Sequence, residues 1–160
     1  MKIYLFSLFL IFSLVGCAVN PVTGKQDFVM ISEEQEIQMG REYNSQILKM
    51  KPVYQDQKLQ DYVQSIGESL ALKSHRPNLI YRFTVLDSPD INAFALPGGY
   101  IYINRGLMSY FSSEEELAAV LGHEIGHVTA RHSVRQYSLS HLMGILSAAI
   151  EINSVERQLI

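Results

Sequence analysis

Two histidines four residues apart, with a glutamate beside the first, stand in the run Leu121-Gly122-His123-Glu124-Ile125-Gly126-His127-Val128. On a helix, positions i and i+4 share a face one turn apart, so the imidazoles of His123 and His127 can meet at one point. Two nitrogens so placed can bind one zinc ion, Zn2+. Glu124 lies about 100° round the helix from His123, in reach of a water attacking a carbonyl there, and is the candidate catalytic base. The competing explanation is a polar stripe on a solvated helix face. The neighbours Val120, Leu121, Ile125 and Val128 speak against it, because histidines in an apolar setting need partners. Gly122 and Gly126 each cost about 1 kcal/mol of helix propensity, so another backbone is expected close to both.

The remaining histidines are weaker candidates. His132 follows His127 by five residues, and on a continuous helix it points elsewhere. It is expected to orient neighbouring groups or cap the helix end, not to act as a third ligand of the same face. His75, in His75-Arg76-Pro77-Asn78, reads as a surface loop residue, and His141 receives no role.

Several elements must position the motif. Ser112-Ser113-Glu114-Glu115-Glu116 is a strong helix start, each serine having a glutamate three residues later. Upstream, Ser32 and Gln35 form a capping-box pair ahead of a helix from Glu33 to about Lys49. Lys51-Pro52 breaks that helix. A second begins near Asp56 and is expected to bury Leu59, Tyr62, Val63, Ile66 and Leu70. Tyr81 to Leu86 alternates like a strand, and Ile91 to Leu96 and Tyr100 to Ile103 flank Pro97-Gly98-Gly99 as a hairpin. Leu139 to Ile152 is apolar but too short to span a bilayer, and is expected to pack as a helix. The fold class is α+β, with helices round a small, mainly antiparallel sheet.

At the N-terminus, Lys2 precedes the apolar run Ile3 to Leu14, a secretory signal pattern. It ends in Leu14-Val15-Gly16-Cys17, which resembles the lipobox of bacterial lipoproteins. The division expected is a signal peptide over residues 1–16, a lipidated N-terminus and tether over 17–30, and a metallopeptidase domain over 31–160. Cys17 is the only cysteine, so a cysteine-based zinc site and an internal disulfide are both excluded. Acyl chains on Cys17 would anchor the protein to a membrane. Ala18 follows the cysteine where an aspartate would signal retention, which by the sorting pattern of Gram-negative lipoproteins favours the outer membrane. A net charge of −3 and no basic block leave no footprint for nucleic acid.

Two runs together, Asn92-Ala93-Phe94-Ala95-Leu96-Pro97-Gly98-Gly99-Tyr100-Ile101 and Leu117 to Val128, resemble metallopeptidase family 48, the CAAX-prenyl-endopeptidase-like zinc enzymes. Arg131-His132 fits the same pattern. The lipobox and Asn20 to Gln26 look like the family's periplasmic lipoprotein branch, whose members act in quality control and assembly of outer-membrane proteins. The resemblance implies a zincin, gluzincin-like fold with the histidine motif on a central helix. It implies a zinc endopeptidase acting on unfolded or misassembled envelope proteins. Asn92, Ala93 and Phe94 would then hold an extended substrate at a strand edge; alternatively that strand is internal and Phe94 simply packs. The resemblance also implies a third ligand, a glutamate on a later helix followed shortly by Ala-Asp, and a further downstream histidine. Neither is present. Glu151 or Glu156 would have to substitute, or the chain is an incomplete protein. A second functional class, an envelope assembly factor or chaperone with an inactive or regulatory zinc site, is separated from the first by Glu124→Gln.

Overall fold

The structure is a computed structural model that describes residues 17–158, with side chains over 19–144 and at 147. The expected signal, residues 1–16, lies outside the described residues, as does the side chain of Cys17.

Helix α1 (Glu33–Met50) starts as its sequence dictates. The Ser32 hydroxyl accepts from the Gln35 N–H at 3.3 Å, and the Gln35 side chain accepts from the Ser32 N–H at 2.8 Å. Helix α2 (Gln57–Ala71) is capped by Asp56, whose carboxylate accepts from the Leu59 N–H. Its apolar stripe packs on the sheet and on the motif helix. Tyr62 departs from the expected stripe: it is exposed, and its hydroxyl donates to Glu114.

Three strands, β3 (Arg82–Leu86), β4 (Ala93–Leu96) and β5 (Tyr100–Asn104), form a sheet ordered β3-β5-β4. Here the expected mainly antiparallel sheet needs correction. β4 and β5 pair antiparallel across a short 3-10 turn, Pro97–Gly99, but β3 runs parallel to β5. The reason is that residues 87–92 swing β4 one strand position away from β3, and β5 returns into the gap. The sheet is mixed.

The two edges of this sheet differ. The outer side of β3 is closed by side-chain amides one turn apart on α2. Gln60 accepts from the Val85 N–H and donates to the Val85 carbonyl, while Gln64 does the same for Phe83 and Tyr81. Tyr54 and Asp87 complete the seal with backbone bonds to Val85 and Pro52. β4 has no such cover among the described residues.

Alternation along β5 divides the core. Ile101 and Ile103 join Phe83 and Val85 against α2 and the motif helix. Tyr100 and Tyr102 face the other way, with Leu86, Phe94, Leu96 and Ile47 of α1. Beyond β5 come a single-turn helix, α3 (Arg105–Met108), then α4 (Glu114–Thr129) and α5 (His132–Gln158). Among the described residues no helix is long and apolar enough to cross a membrane.

The segment expected as a tether is built into the molecule. β1 (Cys17–Val19) and β2 (Gln26–Phe28) pair antiparallel around a turn organised by Asn20, whose carbonyl oxygen accepts from the Val22 and Thr23 N–H groups. The Asn20 amide also donates to Asp27 and to the Ala130 carbonyl. The Met30 N–H donates to Ser138 of α5. The hairpin therefore docks where α4 ends and α5 begins.

Candidate metal centre

The motif lies on α4. Ser113 caps it, and Glu114, Glu115 and Glu116 occupy its positive end. Leu117, Leu121, Ile125 and Val128 recur at helical spacing and are buried, which turns His123 outward on the opposite face. The Nε2 atoms of His123 and His127 come to 3.0 Å. Nitrogens each about 2.0–2.1 Å from one tetrahedral zinc stand a little over 3 Å apart, so the pair suits one ion. Glu124 is only 8% exposed, at the base of a cleft of about 390 Å³ that it shares with His123. The other walls of this cleft are Ile91, Asn92, Ala93, Leu107, Ala119 and Val120.

Asn92 and Ala93, expected to bind substrate, thus meet His123 and Glu124 in one cleft. Phe94 does not. Its ring stacks on Tyr102 at 4.9 Å on the far face of the sheet. The hydrogen bond from the Asn104 N–H to the Asn92 carbonyl sets the phase of the ladder. Asn92, Phe94 and Leu96 therefore turn their backbone groups toward β5, and Ala93 and Ala95 turn theirs to the free edge. In place of Phe94, the second residue offering that edge is Ala95. Both alanines also face α4, and their small side chains let the strand lie close to the motif.

The expected backbone neighbour of Gly122 and Gly126 is not found: a Cβ at either would meet nothing within 4 Å among the described residues. Close approaches occur instead at Gly40, where a Cβ would stand 2.0 Å from the Pro97 carbonyl oxygen, and at Gly67, against the Phe83 ring.

His132 does not point away from His127, as it would on a continuous helix. Its Nδ1 lies 2.8 Å from Nδ1 of His127. A continuous helix would separate them by about 140°, but the helix does not continue. α4 stops at Thr129, Arg131 takes φ 54°, and α5 restarts at His132. The three imidazoles form a chain, not a cluster round one point. Among the described residues no three His, Cys, Asp or Glu side chains converge as a metal site. The side chains of Glu151 and Glu156, the possible substitutes for a third ligand, lie outside the described residues. His141 stacks on Tyr137, and His75 is an exposed loop residue; neither approaches the motif.

Sequence reasoning missed what fixes the kink. Glu36, 1% exposed, accepts from Arg76 at 2.9 Å and from Arg131 Nε at 2.8 Å, and also from the Gly98 N–H. Arg76 continues to the Val128 carbonyl, and Arg131 to the Ile31 carbonyl. Burial opposes the charge on Arg76, but Glu36 and then Glu33 outweigh it and hold the guanidinium above its ordinary value. In the sequence Glu36 looks like one more acidic residue of a helix's first turn, and nothing there signals its burial.

The model of peptidase family M48 matches residues 57–158, which include β3, β4, β5 and the whole of α4. The chain belongs to this family. Among its relatives, the beta-barrel assembly-enhancing protease of Yersinia pestis is 35% identical over 115 residues, covering 72% of this chain and 24% of the relative. The protein of the same name from Escherichia coli (strain K12) is 36% identical over 105 residues, covering 66% and 22%. The mitochondrial metalloendopeptidase OMA1 of Bos taurus is 30% identical over 146 residues, covering 87% and 28%. The chain spans about a quarter of the length of these M48 relatives.

Proposed function

We propose that this chain supplies two zinc ligands, His123 and His127, and the catalytic base, Glu124, of a metalloendopeptidase. The observation that carries the proposal is the pair of Nε2 atoms at 3.0 Å beside a buried carboxylate, in the cleft that the edge strand borders. When bound, zinc supplies Lewis acidity, polarising a carbonyl and making water more acidic near neutral pH. Glu124 takes the proton of the water that attacks the carbonyl carbon and delivers it to the leaving amine. Ala93 and Ala95 present backbone donors and acceptors to an extended peptide, which adds as a strand. The apolar walls from Ile91, Leu107 and Val120 exclude water and accept side chains beside the scissile bond. Catalytic zinc generally takes three protein ligands; no third converges on the pair among the side chains described.

The substrates we infer are unfolded or misassembled proteins of the bacterial envelope, met by a periplasmic enzyme held by lipid on Cys17 to the outer membrane. Support comes from the lipobox and from the name of the Yersinia and Escherichia relatives, which joins β-barrel assembly to proteolysis. The test is to incubate the full-length protein with an unfolded outer-membrane β-barrel protein. Wild type yields discrete fragments, and Glu124→Gln slows their appearance by about 10²- to 10⁴-fold with zinc content unchanged. Cleavage by Glu124→Gln at the wild-type rate overturns the assignment.

A further inference from the structure

We propose that His132 is a positioning residue that fixes the ring orientation and tautomer of His127. The inference rests on the reading of His127 as a zinc ligand. His127 turns Nε2 toward Nε2 of His123 at 3.0 Å and Nδ1 toward Nδ1 of His132 at 2.8 Å. A neutral imidazole that gives its Nε2 lone pair to a metal carries its proton on Nδ1. That proton then faces His132, whose Nδ1 accepts it while its own proton sits on Nε2. Metal-bound histidines generally donate their second N–H to a carboxylate, carbonyl or water, which orients the ring and raises its basicity. Here an imidazole fills that place.

The backbone is arranged to deliver it. Arg131 is the one non-glycine residue with positive φ among the described residues, a conformation that costs an L-residue free energy. Its guanidinium is held by the Glu36 carboxylate at 2.8 Å and by the Ile31 carbonyl at 3.2 Å, which offsets that cost. Without the kink, residue 132 would sit on another face of a continuing helix. The contact is made on the side of the His127 ring away from His123, so His132 serves His127 and does not join the pair as a ligand.

Asparagine separates positioning from bulk, because its Oδ1 falls close to the place of a histidine Nδ1 and accepts a hydrogen bond. Zinc affinity is measured on the full-length protein by competition with a chromophoric chelator, for wild type, His132→Leu, His132→Asn and His123→Ala. The expected result is a 10- to 100-fold weaker affinity for His132→Leu, recovered in His132→Asn to near the wild-type value. The thermal melt of the zinc-free protein should not change, since His132 is exposed. Wild-type affinity in His132→Leu, or an equal loss in His132→Asn, overturns the inference. If His123→Ala still loses zinc in that experiment, the metal centre itself stands. A wild-type protein that holds no zinc defeats both.

Discussion

Gly40 and Gly122 both lie inside helices, yet only Gly40 is held by its surroundings. A methyl group at Gly40 would meet the Pro97 carbonyl oxygen at 2.0 Å, whereas one at Gly122 meets nothing within 4 Å among the described residues. Gly40→Ala is therefore expected to destabilise the fold by about 1–3 kcal/mol through overpacking. Gly122→Ala should stabilise it by about 0.5–1 kcal/mol through helix propensity alone. Urea unfolding of the two variants checks this, and equal shifts would contradict it. At this scale the sequence was informative where chemistry is local. That His123 and His127 meet is legible because four-residue spacing fixes a shared face whatever surrounds the helix. That Phe94 turns its backbone toward β5 and Ala95 toward the free edge was not legible, because the phase of a strand's hydrogen bonds depends on its partner. That partner's pairing is visible only in the folded sheet.

Among the elements, the junction of α4 and α5 depends on Glu36. Removing its carboxylate leaves Arg76 and Arg131 together, with only the more exposed Glu33 to compensate. Glu36→Ala is expected to cost about 3–5 kcal/mol, read from denaturant midpoints. A loss below about 1 kcal/mol would mean the cluster contributes little. The junction also reverses an ordinary preference. Arg131→Gly and Arg131→Ala both lose the bond to Glu36, but only glycine adopts positive φ freely. The glycine variant should be the more stable by about 1 kcal/mol; the opposite order would argue against the kink. Helix starts at Ser32, Asp56 and Ser113 were readable from capping chemistry, which is local. The parallel pairing of β3 was not, since a strand that skips one position leaves no mark in its own alternation. The kink at Arg131 was hidden for a similar reason: an arginine carries no sign of left-handed backbone, and its anchor lies 95 residues away.

For the molecule as a whole, each part bears on one face. Gln60 and Gln64 of α2 seal the β3 edge of the sheet, α1 braces the turn that joins β4 to β5, and the N-terminal hairpin docks beside the α4–α5 junction. What remains open among the described residues is the edge of β4 and the cleft below it, where His123 and Glu124 lie. The α+β class and membership of family M48 were within reach of the sequence, the first from alternating and helical periods, the second from two motif runs. The docking of residues 17–30 was not, because Asn20 and Met30 find partners in α4 and α5 that only the fold brings near. The claim on which the rest depends is that His123 and His127 hold zinc. Metal analysis of the purified full-length protein, wild type beside His123→Ala, tests it most directly. The account predicts one zinc per wild-type chain and a loss of most of it in the variant; a folded wild type without zinc, or zinc unchanged in His123→Ala, would contradict it.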